Sequence, residues 1–195
     1  MKKYVLGAAL TLAAAFNVHA ADAASPFKFL VGAGLTFGGD TLATVTLSNA
    51  FGDEDQDIKA GGLVHLYGGV EYRIGTQVSL QATVGYHVDN SSGSNASLRF
   101  SRVPVDLLAY YHVNEKFRLG GGMQIANGPE LKGSGDFSDI RVEFDNSTGA
   151  VVEGEYLFSP HFGAKLRYVN HNYKVKNTNT EFDGSHVGLM LNYYF

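Results

Sequence analysis

Apolar and polar residues alternate along most of this chain with a period of two, and the pattern returns eight times. The last run is the plainest. Val187, Leu189, Leu191, Tyr193 and Phe195 share one face, while Gly188, Met190, Asn192 and Tyr194 lie between them. Successive side chains of a strand point to opposite sides, so such a run predicts a strand with one apolar face. From the N-terminal side, Phe27, Phe29, Val31, Ala33, Leu35 and Phe37 stand opposite Lys28, Gly32, Gly34 and Thr36. A second segment sets Val64, Leu66, Val70 and Tyr72 against His65, Tyr67, Gly69 and Glu71. A third sets Val78, Leu80, Ala82, Val84 and Tyr86 against Ser79, Gln81, Thr83 and Gly85. In the fourth, Val103, Val105, Leu107, Ala109 and Tyr111 oppose Pro104, Asp106, Leu108 and Tyr110. In the fifth, Phe117, Leu119, Gly121, Met123 and Ile125 oppose Arg118, Gly120, Gly122 and Gln124. The sixth and seventh place Ala150, Val152, Tyr156 and Phe158 against Val151, Glu153, Glu155 and Leu157, then Phe162, Ala164, Leu166 and Tyr168 against Gly163, Lys165, Arg167 and Val169.

The charges fall on the face opposite the apolar one, so the apolar faces point outward. That is the inverse of a soluble lipocalin-like barrel, which buries its apolar face. The prediction is an all-β fold, an eight-stranded antiparallel up-and-down transmembrane barrel. Strands cross lipid only when closed, because lipid satisfies no unpaired edge. No run of about 18 apolar residues follows the first stretch, so a transmembrane helix is not expected.

The links alternate in length. Short turns are predicted at Arg73–Gln77, Asn114–Lys116 and Ser159–His161, and long polar segments at about 38–59, 87–97, 127–141 and 170–183. An even strand count with short turns on one side puts both termini in the periplasm and the long segments outside the cell. Outward Tyr72, Tyr111, Phe117, Phe158, Phe162, Tyr193 and Phe195 cluster beside the short turns, and Phe37, Tyr86 and Tyr168 toward the other rim. Two aromatic belts at these heights are expected of a membrane barrel.

The N-terminus reads as a leader rather than as structure. Lys2 and Lys3 precede an apolar run from Val5 to Phe16, and Val18-His19-Ala20 offers a small-x-small cleavage pattern. A secretory signal over residues 1–20 and a barrel domain over 21–195 are therefore expected, with cleavage after Ala23 as the alternative. Without Lys2 and Lys3 the chain carries 13 basic and 19 acidic residues, a formal charge of −6. There is no basic patch, which speaks against a nucleic-acid partner. Cysteine is absent, so neither disulfides nor thiolate metal sites are available.

Eight such segments behind a leader, with a terminal strand closing on Tyr193-Tyr194-Phe195, resemble the small eight-stranded outer-membrane barrels. That group includes the OmpA transmembrane domain, the OmpX/Ail type and the opacity-type proteins. Gly163-Ala164-Lys165-Leu166-Arg167-Tyr168-Val169 is similar to its penultimate strand. The resemblance implies a bacterial outer-membrane location, with outer-membrane lipid and lipopolysaccharide as neighbours. It also implies that Val187, Leu189, Leu191, Tyr193 and Phe195 form the signal read by the barrel-assembly machinery. Unlike full-length OmpA, the sequence leaves no room after the barrel for a peptidoglycan-binding domain.

Candidate chemistry centres on the lumen. Lys28, Arg118, Lys165 and Arg167 are balanced by Glu71, Asp106, Glu153 and Glu155. Hairpin neighbours should set Glu153 and Glu155 against Lys165 and Arg167. Unpaired ions there cost several kcal/mol each, so balance implies pairing. Eight strands leave an interior just wide enough for side chains, which favours a plugged core over a narrow pore for small solutes.

Asp53, Asp55 and Asp57 faintly follow a calcium-loop pattern, but Ile58 and Lys59 stand where Gly and its successor belong, so a solvated acidic tip is expected. His171, Glu181, Asp183, Ser185 and His186 raise the possibility of hydrolysis. The His-x-Ser pair of outer-membrane lipid A deacylases is absent, since His171-Asn172-Tyr173 stands there, and no palmitoyltransferase-like set assembles. The first hairpin has two readings. It protrudes above the membrane, continuing through Thr41, Ala43, Val45 and Leu47, or Gly38-Gly39-Asp40 breaks it and the rest folds over the mouth. The expectation is a monomeric, non-catalytic envelope protein with no cofactor or metal. It contributes to envelope integrity and presents loops to a host or surface ligand. A solute pore is the alternative, and a lipid A-modifying enzyme comes third.

Overall fold

A computed structural model describes residues 25–49, 52–92 and 96–195. The expected leader lies outside them. The strands are β1 (Phe27–Gly38), β2 (Thr41–Asn49), β3 (Gly52–Lys59), β4 (Leu63–Ile74), β5 (Val78–Ser92), β6 (Ala96–His112), β7 (Phe117–Gly135), β8 (Arg141–Glu143), β9 (Ser147–Leu157), β10 (Phe162–Asn170), β11 (Asn172–Lys174), β12 (Glu181–Asp183) and β13 (His186–Tyr194).

Eight of them close a barrel in the order β1-β4-β5-β6-β7-β9-β10-β13, with β13 pairing back onto β1. Every neighbour is antiparallel, and Val31 lies opposite Tyr193 at the closing seam. The amide of Phe195 donates to the carbonyl of Phe29 at 2.9 Å, so pairing runs to the last residue. Closure removes the free edges that a lipid-exposed sheet would leave unsatisfied.

The short turns use side chains to hold their backbones. Asn114 Oδ1 accepts from the amides of Lys116 and Phe117 at 2.9 and 2.8 Å. Ser159 Oγ accepts from those of His161 and Phe162 at 3.3 and 3.1 Å. These turns lie at the end of the barrel that also carries Phe27 and Phe195, hereafter the turn end.

The alternation has the expected phase. Val152, Leu166, Leu189 and Leu191 are about 60–65% exposed, whereas Glu153, Glu155, Lys165 and Arg167 are at most 2% exposed. Within the apolar band the outside is greasy, and the inside is mainly polar, with Leu30, Met190, Leu108, Val151 and Val169 packed among the polar groups.

Beyond the upper aromatic ring the rule inverts. The segments at 87–97 and 127–141, expected as polar links, are largely strand: β5 reaches Ser92, β6 starts at Ala96 and β7 runs to Gly135. Above the band the barrel wall stands in water, so apolar side chains turn inward. Ile58, Ala60, Leu98, Phe100, Ala126, Leu131, Phe144 and Tyr173 form a buried cluster there, with Leu42, Ala43 and Phe182 packed against it. Gly128, at φ +56°, supplies the extra residue where the β6–β7 register shifts between Ser101 and Val103. That shift resets β7, so that Leu131 faces in where Ala126 did before it.

Of the two readings for the first hairpin, the break prevails at its base. Gly38 and Gly39 take φ of +128° and +80°, which ends β1 and lets the chain turn. The β2–β3 ladder is a separate two-stranded sheet, and its base folds into the mouth through Ile58 and Ala60, both fully buried. The side chains of residues 45–56, and with them the Val45, Leu47, Asp53 and Asp55 readings, lie outside what is described. Asp57 accepts from the hydroxyls of Thr41 and Thr44 at 3.4 and 2.8 Å.

Candidate functional site

The lumen is built in layers. Nearest the turn end, Arg118 on β7 joins two carboxylates: Nη1 lies 2.6 Å from Glu71 of β4, and Nη2 2.8 Å from Glu155 of β9. Glu155 also accepts from the Tyr194 hydroxyl at 2.7 Å and from Asn192 Nδ2 at 2.8 Å, so both its oxygens are filled. The Arg118 guanidinium sits 4.4 Å from the Tyr110 ring centroid and 5.2 Å from that of Tyr194. This geometry supplies charge, donors and a flat surface together.

One layer up, Lys165 Nζ lies 2.8 Å from Glu153 Oε2, and the Tyr110 hydroxyl donates to the same carboxylate. Arg167 bridges upward, with Nε 3.3 Å from Glu153 Oε1 and Nη2 3.0 Å from Asp106 Oδ2. Gln124 Nε2 donates to the other Asp106 oxygen at 2.8 Å. Two lumen glycines make room for this. A Cβ on Gly32 would strike the Tyr67 ring, and one on Gly120 the Tyr110 ring.

The β9–β10 ladder does set the expected charges opposite one another, Lys165 across from Glu155 and Arg167 across from Glu153. The lysine, however, takes the diagonal partner Glu153, because Arg118 from β7 already occupies Glu155. Lys28 differs from the rest. It stands half-buried at the turn-end mouth and forms no ion pair among the described residues. It lines a small cavity of about 20 Å³ with Glu71, Arg73, His112 and Arg118.

A third layer lies above these, made of residues outside the predicted charge pool. Thr36, His65, His87, Arg102 and His186 are all buried in the lumen at the height of the upper aromatic ring. Arg102 sits on β6 directly across from His87. Its place beside Pro104 and Asp106 on the inward face was the available signal.

The residues considered for hydrolysis do not assemble. The His171 Nε2 atom bonds Ser147 at 2.5 Å rather than Ser185, whose Oγ accepts from the His171 amide at 3.2 Å. His171 Nδ1 has no hydrogen-bond partner, so no acid orients the ring. His186 Nδ1 bonds the Gly184 carbonyl, and Asp183 caps the Ser185 amide. No group of three or more His, Asp or Glu among the described residues is placed to hold a metal ion.

The rim opposite the turns is acidic. Segments 39–62, 87–101, 127–147 and 170–185 together hold thirteen Asp and Glu against six Lys and Arg. Its ion pairs are exposed, as in Lys176 Nζ to Glu143 at 2.9 Å. The Lys176 hydrogen bond, aided by Arg141, holds the Glu143 carboxyl below the usual range.

The sequence profile of the outer membrane protein β-barrel domain matches residues 8–195. The chain belongs to that family. It therefore resides in the bacterial outer membrane, crossing it with the strands described above. Among solved structures, it is similar to Ail, the attachment invasion locus protein of Yersinia pestis, in complex with the heparin analogue sucrose octasulfate. The TM-score is 0.54 at 12% identity, over 87% of this chain and 99% of that one. Neisserial surface protein A is similar at TM-score 0.50 and 12% identity, over 89% and 100%. At such identities the likeness is one of fold. A search of curated proteins gave no significant sequence match.

Proposed function

We propose that this chain is a non-conducting, non-catalytic barrel that strengthens the outer membrane and presents its loop end to a partner outside the cell. Both termini then lie in the periplasm, and the protein works as a monomer. The filled lumen carries this reading. Three stacked layers of buried polar and charged side chains, topped by an apolar cluster, occupy the space a solute would need. An eight-stranded barrel has little interior to spare. Tyr194, Glu155 and Arg118 would hold the turn end closed, and Phe100 with Phe144 the other. The outward row Val187, Leu189, Leu191, Tyr193 and Phe195 serves in this reading as the signal to the barrel-assembly machinery.

The surface partner is set by charge. Beyond the band the rim carries the chain's excess of acid, and polyanions are repelled by such a field. A basic or uncharged surface fits better than the sulfated sugar analogue seen with Ail.

Two experiments test the proposal. In planar bilayers the refolded barrel is expected to show no steady openings, and Arg167→Ala none either, since the cap and the Arg118 layer remain. Steady wild-type conductance would establish the solute pore instead. Replacing residues 45–56 by an Asn-Gly turn keeps the buried base of the hairpin. The barrel should still assemble, while cells displaying it lose attachment to immobilised matrix protein. Unchanged attachment would remove the hairpin from the interaction.

A further inference from the structure

The His/Arg layer between the ion-pair network and the apolar cap carries an unbalanced charge. Arg102 is 1% exposed and has no carboxylate within ion-pair distance among the described residues. Asp89, two residues along β5 from His87, accepts from the Lys59 amide at 2.8 Å instead. The guanidinium is held by rings, 5.1 Å from the Phe100 centroid and 5.5 Å from that of Tyr173, with Nη2 3.3 Å from His87 Nε2 and the Tyr173 hydroxyl beside it.

His87 Nε2 also lies 2.7 Å from the Thr36 hydroxyl, which can donate to it or accept from it. His87 Nδ1 has no partner, nor do Arg102 Nε and Nη1. Both nitrogens of His65, stacked on His87 at 4.8 Å between centroids, are likewise unpartnered. So are His186 Nε2 and His171 Nδ1. Seven buried side-chain atoms without a hydrogen-bond partner among the described residues thus fall in this one layer and its upper edge. Buried donors are rarely left unfilled, and a buried cation is rarely left without a counter-charge.

Water would satisfy the donors but not the charge. A metal cation would be repelled by Arg102. We infer that this layer is a binding site for a compact inorganic anion of the halide kind, held by Arg102 beneath the apolar cap. The anion neutralises Arg102 and accepts from its Nε–H and Nη1–H, which have no hydrogen-bond partner among the described residues. Because the ion network closes the layer below and the Phe100 cluster above, the ion is taken up as the barrel closes.

Bromide is the probe, since it scatters anomalously and mimics chloride. Wild-type barrel refolded and crystallised in sodium bromide is expected to show one anomalous peak beside Arg102. Ordered water alone at that level, with no peak, would overturn the proposal. In solution, the wild-type unfolding midpoint should be higher in bromide than in gluconate at equal ionic strength. Arg102→Met should lose that difference while still folding, because it also removes the buried charge. An equal bromide effect in both proteins would mean a general salt response and would likewise overturn the site.

Discussion

Arg118→Met is expected to lower the free energy of unfolding by about 3–5 kcal/mol, the usual cost of removing one member of a buried ion cluster. The reason lies in what stays behind. Glu71 and Glu155 are buried, and both keep their place on rigid strands when the guanidinium goes. Glu155 would retain its bonds from Tyr194 and Asn192, but neither brings a positive charge. Lys165, already bound to Glu153, is committed elsewhere. The measurement is urea-dependent folding into lipid vesicles, followed by the mobility difference between folded and unfolded barrel on gels. A triple variant, Arg118→Met with Glu71→Gln and Glu155→Gln, should recover most of the loss because no ion is then stranded. A loss below about 1 kcal/mol for the single variant, the size seen for exposed pairs, would show that water reaches this layer and that the lumen is not sealed.

Phe100→Ala is expected to cost about 3–5 kcal/mol, as other buried Phe truncations do, with a different distribution over the molecule. Phe100 is fully buried and meets Phe144 and Tyr173 edge-on, each at 5.5 Å between centroids. Its loss leaves a void in the part of the barrel that stands in water. Amide exchange should therefore quicken along residues 96–102 and 127–135, while β1 and β13 within the lipid band stay protected. Bilayer conductance should remain absent, because the Arg167 and Arg118 layers lie below. Uniform loss of protection through β1 and β13 would show instead that cap and membrane barrel form one cooperative unit.

The faces of the strands were legible from alternation because lipid and lumen act on each residue separately. Val187 and Leu189 read as outward, and Lys165 and Arg167 as inward, without knowledge of any neighbour. The short turns were legible for a similar reason, since Asn114 and Ser159 bond within their own turns. The upper ends of β5, β6 and β7 were not. On β6 the inward positions stay even-numbered from Leu98 to Tyr110, but the apolar residues move from even to odd between Phe100 and Val103. To a sequence reader that slip resembles the end of a strand. It marks the plane where the surrounding solvent changes from lipid to water and the same alternation reverses its chemistry.

Sequence by itself thus determined the number of barrel strands, the membrane-facing side of each and the pool of lumen charges, since these follow from one-residue preferences repeated along a regular backbone. Only the tertiary structure decided which charge meets which. Arg118 finds Glu71 across 47 residues, and Arg167 finds Asp106 across 61, because closure of the sheet sets the height of each strand against strands it does not touch in sequence. The same closure brings His65, His87, Arg102 and His186 to one level. Their chemistry belongs to the layer rather than to any segment, and local alternation could announce only that Arg102 faces inward.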